Sequence, residues 1–337
     1  MKGRVVRVVA SSRLHFGMLS VNQPGTRHYG GVGAMVDAPG LELVIRPAER
    51  LKAAGPLADR ARQVAALVAR SLLGNIGEGD GPPCRVDVVH APPLHVGLGT
   101  GTQLAMAVAA GLNAFFERPP ADAASLARSA GRGYRSAIGL YGFAHGGMIY
   151  ESGKTEEEEI APLVDRVDLP STWRFLLVRP RDEQGIFDEA EREVFVGLPP
   201  VPVERTEMLR REATEHLLPA AAEGRFDEFS ESLYRFGYAA GLSFAAKQGG
   251  AFAGERLASL VAWIRAGGVA GVGQSSWGPT LFALLPDDSA ALALAQRLRS
   301  RPDAGDLELM VASPDSRGAR IEVAPGGPQP PVNRSPA

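Results

Sequence analysis

Between residues 92 and 107 a strand pattern gives way to a helix pattern across three closely spaced glycines, and no other segment constrains the fold as much. The run Cys84-Arg85-Val86-Asp87-Val88-Val89-His90 reads as a strand, and Leu104, Val108, Leu112 and Phe115 then recur at helical spacing. Gly97, Gly99 and Gly101 lie between them with Thr100 and Thr102. Glycine permits the backbone angles by which successive amides turn toward one anion, and the following helix offers unpaired N–H groups and a positive dipole end. The dipole contributes only about 0.3–1 kcal/mol, so tight phosphate binding needs several amides and hydroxyls together. The glycines alone fit an ordinary strand-to-helix turn equally well. No Gly-Lys-Ser/Thr follows at the required spacing, so this is not a Walker loop.

The 337 residues are 45% hydrophobic, enough for two modest domains with cores of their own. A formal net charge of −2 gives no sign of a nucleic-acid surface. Cys84 is the sole cysteine, which excludes an intrachain disulfide and a cysteine metal cluster, and a reducing cytoplasm is expected. No apolar run approaches the roughly 20 residues of a membrane span, and the strand-like start from Gly3 to Val9 does not read as a signal peptide. Lysine occurs only at Lys2, Lys52, Lys154 and Lys247. Arginine richness on that scale reflects coding composition and is not itself a sign of phosphate binding.

Strand and helix patterns alternate in both halves. Leu41 to Ile45 reads as a strand, Ala58 to Leu73 as an amphipathic helix ended by Gly74-Asn75, and a helix near 121–128 and a strand from Gly146 to Tyr150 follow the loop helix. Glu156 to Glu159 reads as a solvated turn. Trp173 to Val178 is a buried strand, and Pro199 to Pro202 breaks the chain before a helix-rich stretch over 203–266. Pro279 to Leu285, a helix near 288–300 and Leu307 to Val311 give a strand–helix–strand close. This order predicts an α+β fold in two halves: residues 1–165 carrying the phosphate loop, residues 166–325 forming an α/β sandwich, and a disordered tail over 326–337. A phosphate site between the halves suits it.

Pro93, three residues, then Gly97-Leu98-Gly99 and small hydroxylic residues opening an Ala-rich helix resemble the phosphate loop of the GHMP kinase superfamily, which cradles the triphosphate of ATP. Kinases there usually carry Gly-Leu-Gly-Ser-Ser-Ala, whereas this chain reads Gly97-Leu98-Gly99-Thr100-Gly101-Thr102-Gln103. Four other segments resemble one branch, the β-ribofuranosylaminobenzene 5′-phosphate synthases. They are Ser12 to Gly17, Gly131 to Gly139, Phe244 to Gly250 and the run Gly271-Val272-Gly273-Gln274-Ser275-Ser276-Trp277-Gly278-Pro279-Thr280. The similarity spans about residues 4–325. It implies a two-domain GHMP-kinase-like fold and an enzyme of methanopterin biosynthesis. That enzyme joins phosphoribosyl diphosphate to 4-aminobenzoate or 4-hydroxybenzoate with loss of carbon dioxide and diphosphate. A homodimer is compatible with the superfamily.

On that resemblance, Gly97, Leu98, Gly99, Thr100, Gly101, Thr102 and Gln103 hold the diphosphate, with Thr102 as the candidate ligand to Mg2+. Arg13 and Arg135 are the candidate anion contacts, since a guanidinium grips phosphate or carboxylate bidentately. Arg132 is adjacent and able to exchange roles with Arg135. His15, two residues beyond Arg13, is a candidate for hydrogen bonding or acid–base work, and Ser136 for phosphate. Gln274, Ser275, Ser276 and Trp277 form a second polar loop, a wall facing the first, with Trp277 stacking the aromatic acceptor. Gly185, in the run from Arg181, marks a further anion-facing loop. Two other functions remain open: an ATP-dependent kinase, for which Asp182 and Glu191 would have to serve, and a non-catalytic sensor of phosphate ligands.

Overall fold

The computed structural model describes residues 4–73, 81–181, 183 and 195–325. Two long strands, β1 (Arg4–Ser20) and β2 (Tyr29–Pro47), pair antiparallel and organise the first half. Their register shifts between Ala10 and Ser12 and again between His15 and Gly17. Irregularities of this kind bend a strand pair, and here they divide its labour. Val6, Val8 and Ala10 enter one core, whereas Leu14, Phe16 and Leu19 enter another.

The remaining strands of this sheet are β3 (Lys52–Ala54), β4 (Cys84–His90), β5 (Met148–Glu151), β6 (Leu163–Val167) and β11 (Arg320–Pro325). Their order is β11-β1-β2-β4-β3, with β5 joined to β2 and β6 to β5. The last strand thus returns to the first, pairing Val9 with Arg320 and Arg4 with Pro325. Over this sheet lie α1 (Ala58–Leu73), α2 (Thr100–Phe115), α3 (Ala123–Ser129) and α4 (Ile138–His145). Helix α2 is apolar around most of its circumference, as a fully enclosed helix must be. Its small residues let it sit close to the sheet: a Cβ on Gly111 would lie 2.7 Å from Ile45 Cδ1.

The second half holds a four-stranded antiparallel sheet in the order β10-β7-β9-β8. Its strands are β7 (Arg174–Pro180), β8 (Val272–Gln274), β9 (Leu281–Leu285) and β10 (Leu307–Ala312). Helices α5 (Val203–Arg211), α6 (Phe226–Gly241), α7 (Gly254–Ala266) and α8 (Asp288–Arg299) accompany it. One face packs on α7 and α8 through Leu260, Ile264 and Leu294. The other joins the second stretch of β1 through Phe16, Phe175, Phe282 and Phe236, so a common core ties the halves together.

The segments expected from periodicity are present, and α1 and β4 begin and end where the sequence pattern does. Not anticipated were β3, β6, β8, β11 and α4, each short or lacking an apolar period. The acidic run is not wholly solvated: Glu158 forms a two-pronged ion pair with Arg27 at 2.6 and 2.8 Å. Gly185, Asp182, Glu191 and the 326–337 tail lie outside the described residues. Among the described residues no helix is long and apolar enough to cross a membrane.

Candidate active site

Strand β11 pairs with β1 only as far as Val9, so the same edge of β1 is open to other partners beyond it. Two glycine-rich loops take that edge. Arg13 N–H donates to Leu98 O of the first loop at 3.0 Å. His15 N–H donates to Ser275 Oγ of the second at 3.0 Å, and Ser276 N–H donates back to His15 O at 3.2 Å. The loops also bind each other, through Ser275 Oγ to Gly97 O and Thr280 Oγ1 to Val96 O, both 2.6 Å. Their backbones touch without side chains between them. A Cβ on Gly278 would lie 2.1 Å from Gly97 N, and one on Gly97 2.4 Å from Ser275 O.

The first loop ends at Gly99, which has φ 69°, a left-handed conformation suited to glycine, and no side chain caps the amides of α2 behind it. No acidic residue stands in its first turn. Two arginines flank this open positive end. The Arg13 side chain passes 2.9 Å from where a Gly99 Cβ would be, and Arg132 Nη2 lies 3.6 Å from the corresponding point on Gly101. Arg135 rests its guanidinium 5.0 Å from the centroid of Phe195. Uncapped amides with two cations beside them suit an anion.

The loop residues divide their work. Thr100 donates its hydroxyl to Pro93 O at 3.0 Å, which steadies the turn. Gln103 is buried and donates Nε2 to Gly139 O at 2.8 Å, joining α2 to α4, while its Oε1 has no hydrogen-bond partner among the described residues. Ser136 accepts from Ile138 N–H at 3.3 Å at the start of α4. Thr102 is partly exposed beside Gly139. No group of three His, Cys, Asp or Glu able to hold a metal ion occurs among the described residues.

Sequence reasoning missed Glu151, the last residue of β5. It is fully buried, and its Oε1 accepts from Ala137 N–H at 2.9 Å, so a carboxylate caps α4. Burial pushes it up to about 7 against the pull of that hydrogen bond, of Ser136 and of Arg13. Ile149 and Glu151 share one face of the strand by their two-residue spacing. An acidic residue in phase with a buried isoleucine was the only sign of it in the sequence.

His15 is also buried, and its Nε2 has no hydrogen-bond partner among the described residues. Burial, then the charge of Arg13, pushes the imidazole down to about 3. At neutral pH it is an uncharged ring able to hydrogen-bond but not to serve as a general acid. It lines a pocket of about 50 Å³ with Phe16, Phe244, Phe252, Gln274 and Trp277. That volume is small beside the few hundred Å³ of a typical ligand pocket, so admitting an aromatic ring requires these side chains to part. Trp277 meets Phe244 and Phe195 edge-on at 4.5 and 5.5 Å, continuing the aromatic row that ends under Arg135.

The second loop spends much of its polarity on itself. Gln274 accepts from Ala253 N–H at 2.8 Å and donates to Gly278 O at 3.1 Å, and Ser275 is buried between the loops. Ser276 and Trp277 stand at the pocket. Lys154 is half-buried, pairs with His28 in an isolated antiparallel bridge and donates Nζ to Glu159 O at 3.1 Å.

Residues 60–147 match the family model for the GHMP kinase N-terminal domain, and residues 217–304 that for the GHMP kinase C-terminal domain. The chain is 28% identical to beta-ribofuranosylphenol 5′-phosphate synthase of Archaeoglobus fulgidus, over 95% of this chain and 100% of the relative. It is 26% identical to the protein of that name from Methanothermobacter thermautotrophicus, over 84% and 89% of the two chains. Among solved structures, mevalonate diphosphate decarboxylase from Staphylococcus aureus superposes with a TM-score of 0.65 at 14% identity, covering 95% of this chain and 98% of that one. Homoserine kinase from Cytophaga hutchinsonii does so at 0.64 and 15% identity, covering 94% and 97%. At such identities these two likenesses speak for the fold alone.

Proposed function

The chain belongs to the GHMP kinase superfamily, in its β-ribofuranosylaminobenzene 5′-phosphate synthase branch, and from that premise we propose how its site performs the synthase reaction. The enzyme joins phosphoribosyl diphosphate to a 4-substituted benzoate and releases carbon dioxide and diphosphate, in methanopterin biosynthesis. The relatives are named for a phenol product, which favours 4-hydroxybenzoate over 4-aminobenzoate as the acceptor.

The observation that carries this reading is the adjacency of an anion site and an aromatic pocket on one strand, Arg13 at the first and His15 at the second. The amides of Gly99 to Gly101, with Arg13, Arg132 and Arg135, receive the diphosphate and take up its growing charge as the C1–oxygen bond breaks. Mg2+ would enter on the diphosphate, with the Thr102 hydroxyl as the protein's own ligand, and would neutralise part of the leaving group's charge. The acceptor ring lies toward His15 and Trp277. Its carboxylate-bearing carbon forms the new bond to C1. The electron pair of the ring–carboxylate bond then restores aromaticity as carbon dioxide departs. Electron release from the 4-hydroxyl drives the attack, and a neutral His15 accepting its hydrogen bond would favour it. A homodimer in a reducing cytoplasm is the setting we expect.

The test is turnover with magnesium, phosphoribosyl diphosphate and carboxyl-labelled 4-hydroxybenzoate or 4-aminobenzoate, beside an ATP-hydrolysis control. Labelled carbon dioxide matched by diphosphate supports the reading and identifies the acceptor. Folded protein that releases none with either acid, yet consumes ATP, refutes it in favour of a kinase.

A further inference from the structure

Glu151 is a buried carboxylate placed where a phosphate site would be expected to tolerate none. It sits at the N-terminus of α4, with Oε1 held by Ala137 N–H at 2.9 Å and Oε2 without a hydrogen-bond partner among the described residues. The charged and titratable groups acting on it are Arg13 from β1 and Tyr141 from α4, while β2 and β6 set only Gly31 and Leu163 opposite it. Arg13 lies between the two helix starts, its Cδ 3.7 Å from the Cβ position of Gly139 in α4 and its Nε 2.9 Å from that of Gly99 before α2, and its charge acts on Glu151.

We infer that Glu151 is a proton-exchanging counter-charge of the anion site: ionised, it balances the charge of Arg13 and holds the start of α4 while the site is empty, and it takes a proton from solvent when a diphosphate arrives. The inference rests on the proposed diphosphate site. A polyanion on Arg13 and α2 competes for the same positive charge and adds a like charge nearby, so the ionised carboxylate becomes the costlier form. Burial already brings it near the point of balance, since its empty-site value is about 7. Glu151 acts through Arg13 and α4 and is thus a positioning residue.

The test is calorimetric titration of inorganic diphosphate into the full chain from pH 7 to 8.5, in two buffers of different ionisation heat. The ligand's own protons are released when it meets cations, opposite in sign to uptake by Glu151. Net uptake by the wild-type protein is the expected result. Its affinity should fall with pH by up to ~10-fold per unit relative to Glu151→Gln, the limit for one linked proton. Binding with proton release only, or with the same pH dependence in both proteins, overturns the inference while leaving the site in place. No binding at any pH overturns the diphosphate site as well. If Glu151→Gln does not fold, the two-buffer measurement on the wild-type protein decides alone.

Discussion

Gly278→Ala should disable the enzyme while adding a single methyl group that touches no substrate. The new Cβ would lie 2.1 Å from Gly97 N and 2.2 Å from Val96 C, both backbone atoms. Real Cβ atoms do not approach within 3.0 Å, so the loops must separate by about 0.9 Å, the difference between 3.0 and 2.1. Gly278 does not have a positive φ, so the effect is contact and not conformational strain. Forced overpacking of this kind costs about 1–3 kcal/mol, and it strains the 2.6 Å bonds from Ser275 to Gly97 O and from Thr280 to Val96 O. A displacement near 1 Å at the anion site lowers turnover ~100-fold. The assay is kcat/KM for carbon dioxide release, measured beside thermal melting. Gly305→Ala serves as the control, because nothing lies within 4 Å of its Cβ position and its φ is not positive. Wild-type kcat/KM in a Gly278→Ala protein of unchanged melting temperature would refute the claim that loop-on-loop contact sets the geometry.

Arg135→Ala should lower turnover by roughly 100-fold with little change in melting temperature, as loss of one preorganised charge contact does; near-normal rates would remove it from the mechanism. Gly99→Val should abolish diphosphate binding in calorimetry, since Gly99 has φ 69° and its Cβ would crowd Arg13. Chelation of divalent metal should stop turnover and added magnesium restore it, read by the same assay. Burial holds His15 at about 3, below its ordinary 6.5, and Glu151 at about 7, above its ordinary 4.5, so between pH 4.5 and 6.5 the unfolded chain binds the extra proton at one and the folded chain at the other. Their opposing slopes, ~1.4 kcal/mol per pH unit each, should cancel there in urea melts. Glu151→Gln should expose a loss of stability on acidification below pH 6.5, and His15→Gln a loss as pH rises from 4.5 to 7.

The loop and its helix were legible because two periods, one of strand and one of helix, meet at closely spaced glycines. Strand β4 and helix α1 were legible for the same reason. Helix α4 was not: Ile138-Gly139-Leu140-Tyr141-Gly142-Phe143 carries two glycines and no polar face, and it is helical because Glu151 and Ser136 cap it and Gln103 ties it to α2. Tertiary contacts here override a poor local propensity. The arginines were singled out through motif resemblance, whereas Glu151 belongs to no motif and is defined by burial, a property that one strand's sequence states weakly. The polar residues of the second loop were visible, but their division was not. Gln274 and Ser275 bond to backbone atoms brought near only by folding, while Gln274, Ser276 and Trp277 line the pocket.

An unpaired strand edge usually invites aggregation, and β1 has one from the point where β11 stops at Val9. In this chain the edge is the ruler of the site. Arg13 N–H fixes the first loop and His15 N–H the second, two residues apart on one backbone. Strand geometry sets that interval at about 6.6–6.8 Å, comparable with the separation of a leaving phosphate and an attacking ring on opposite faces of one carbon, given reacting atoms ~3–3.5 Å apart. The two loops come from different halves of the chain, and neither carries a regular element at its tip. Their spacing is nevertheless as rigid as a strand, because each is registered to β1 and they are bonded to each other. On the proposed reading, a loop held in this register can serve a diphosphate leaving group, provided that what faces it across this interval is an aromatic pocket in place of a hydroxyl acceptor.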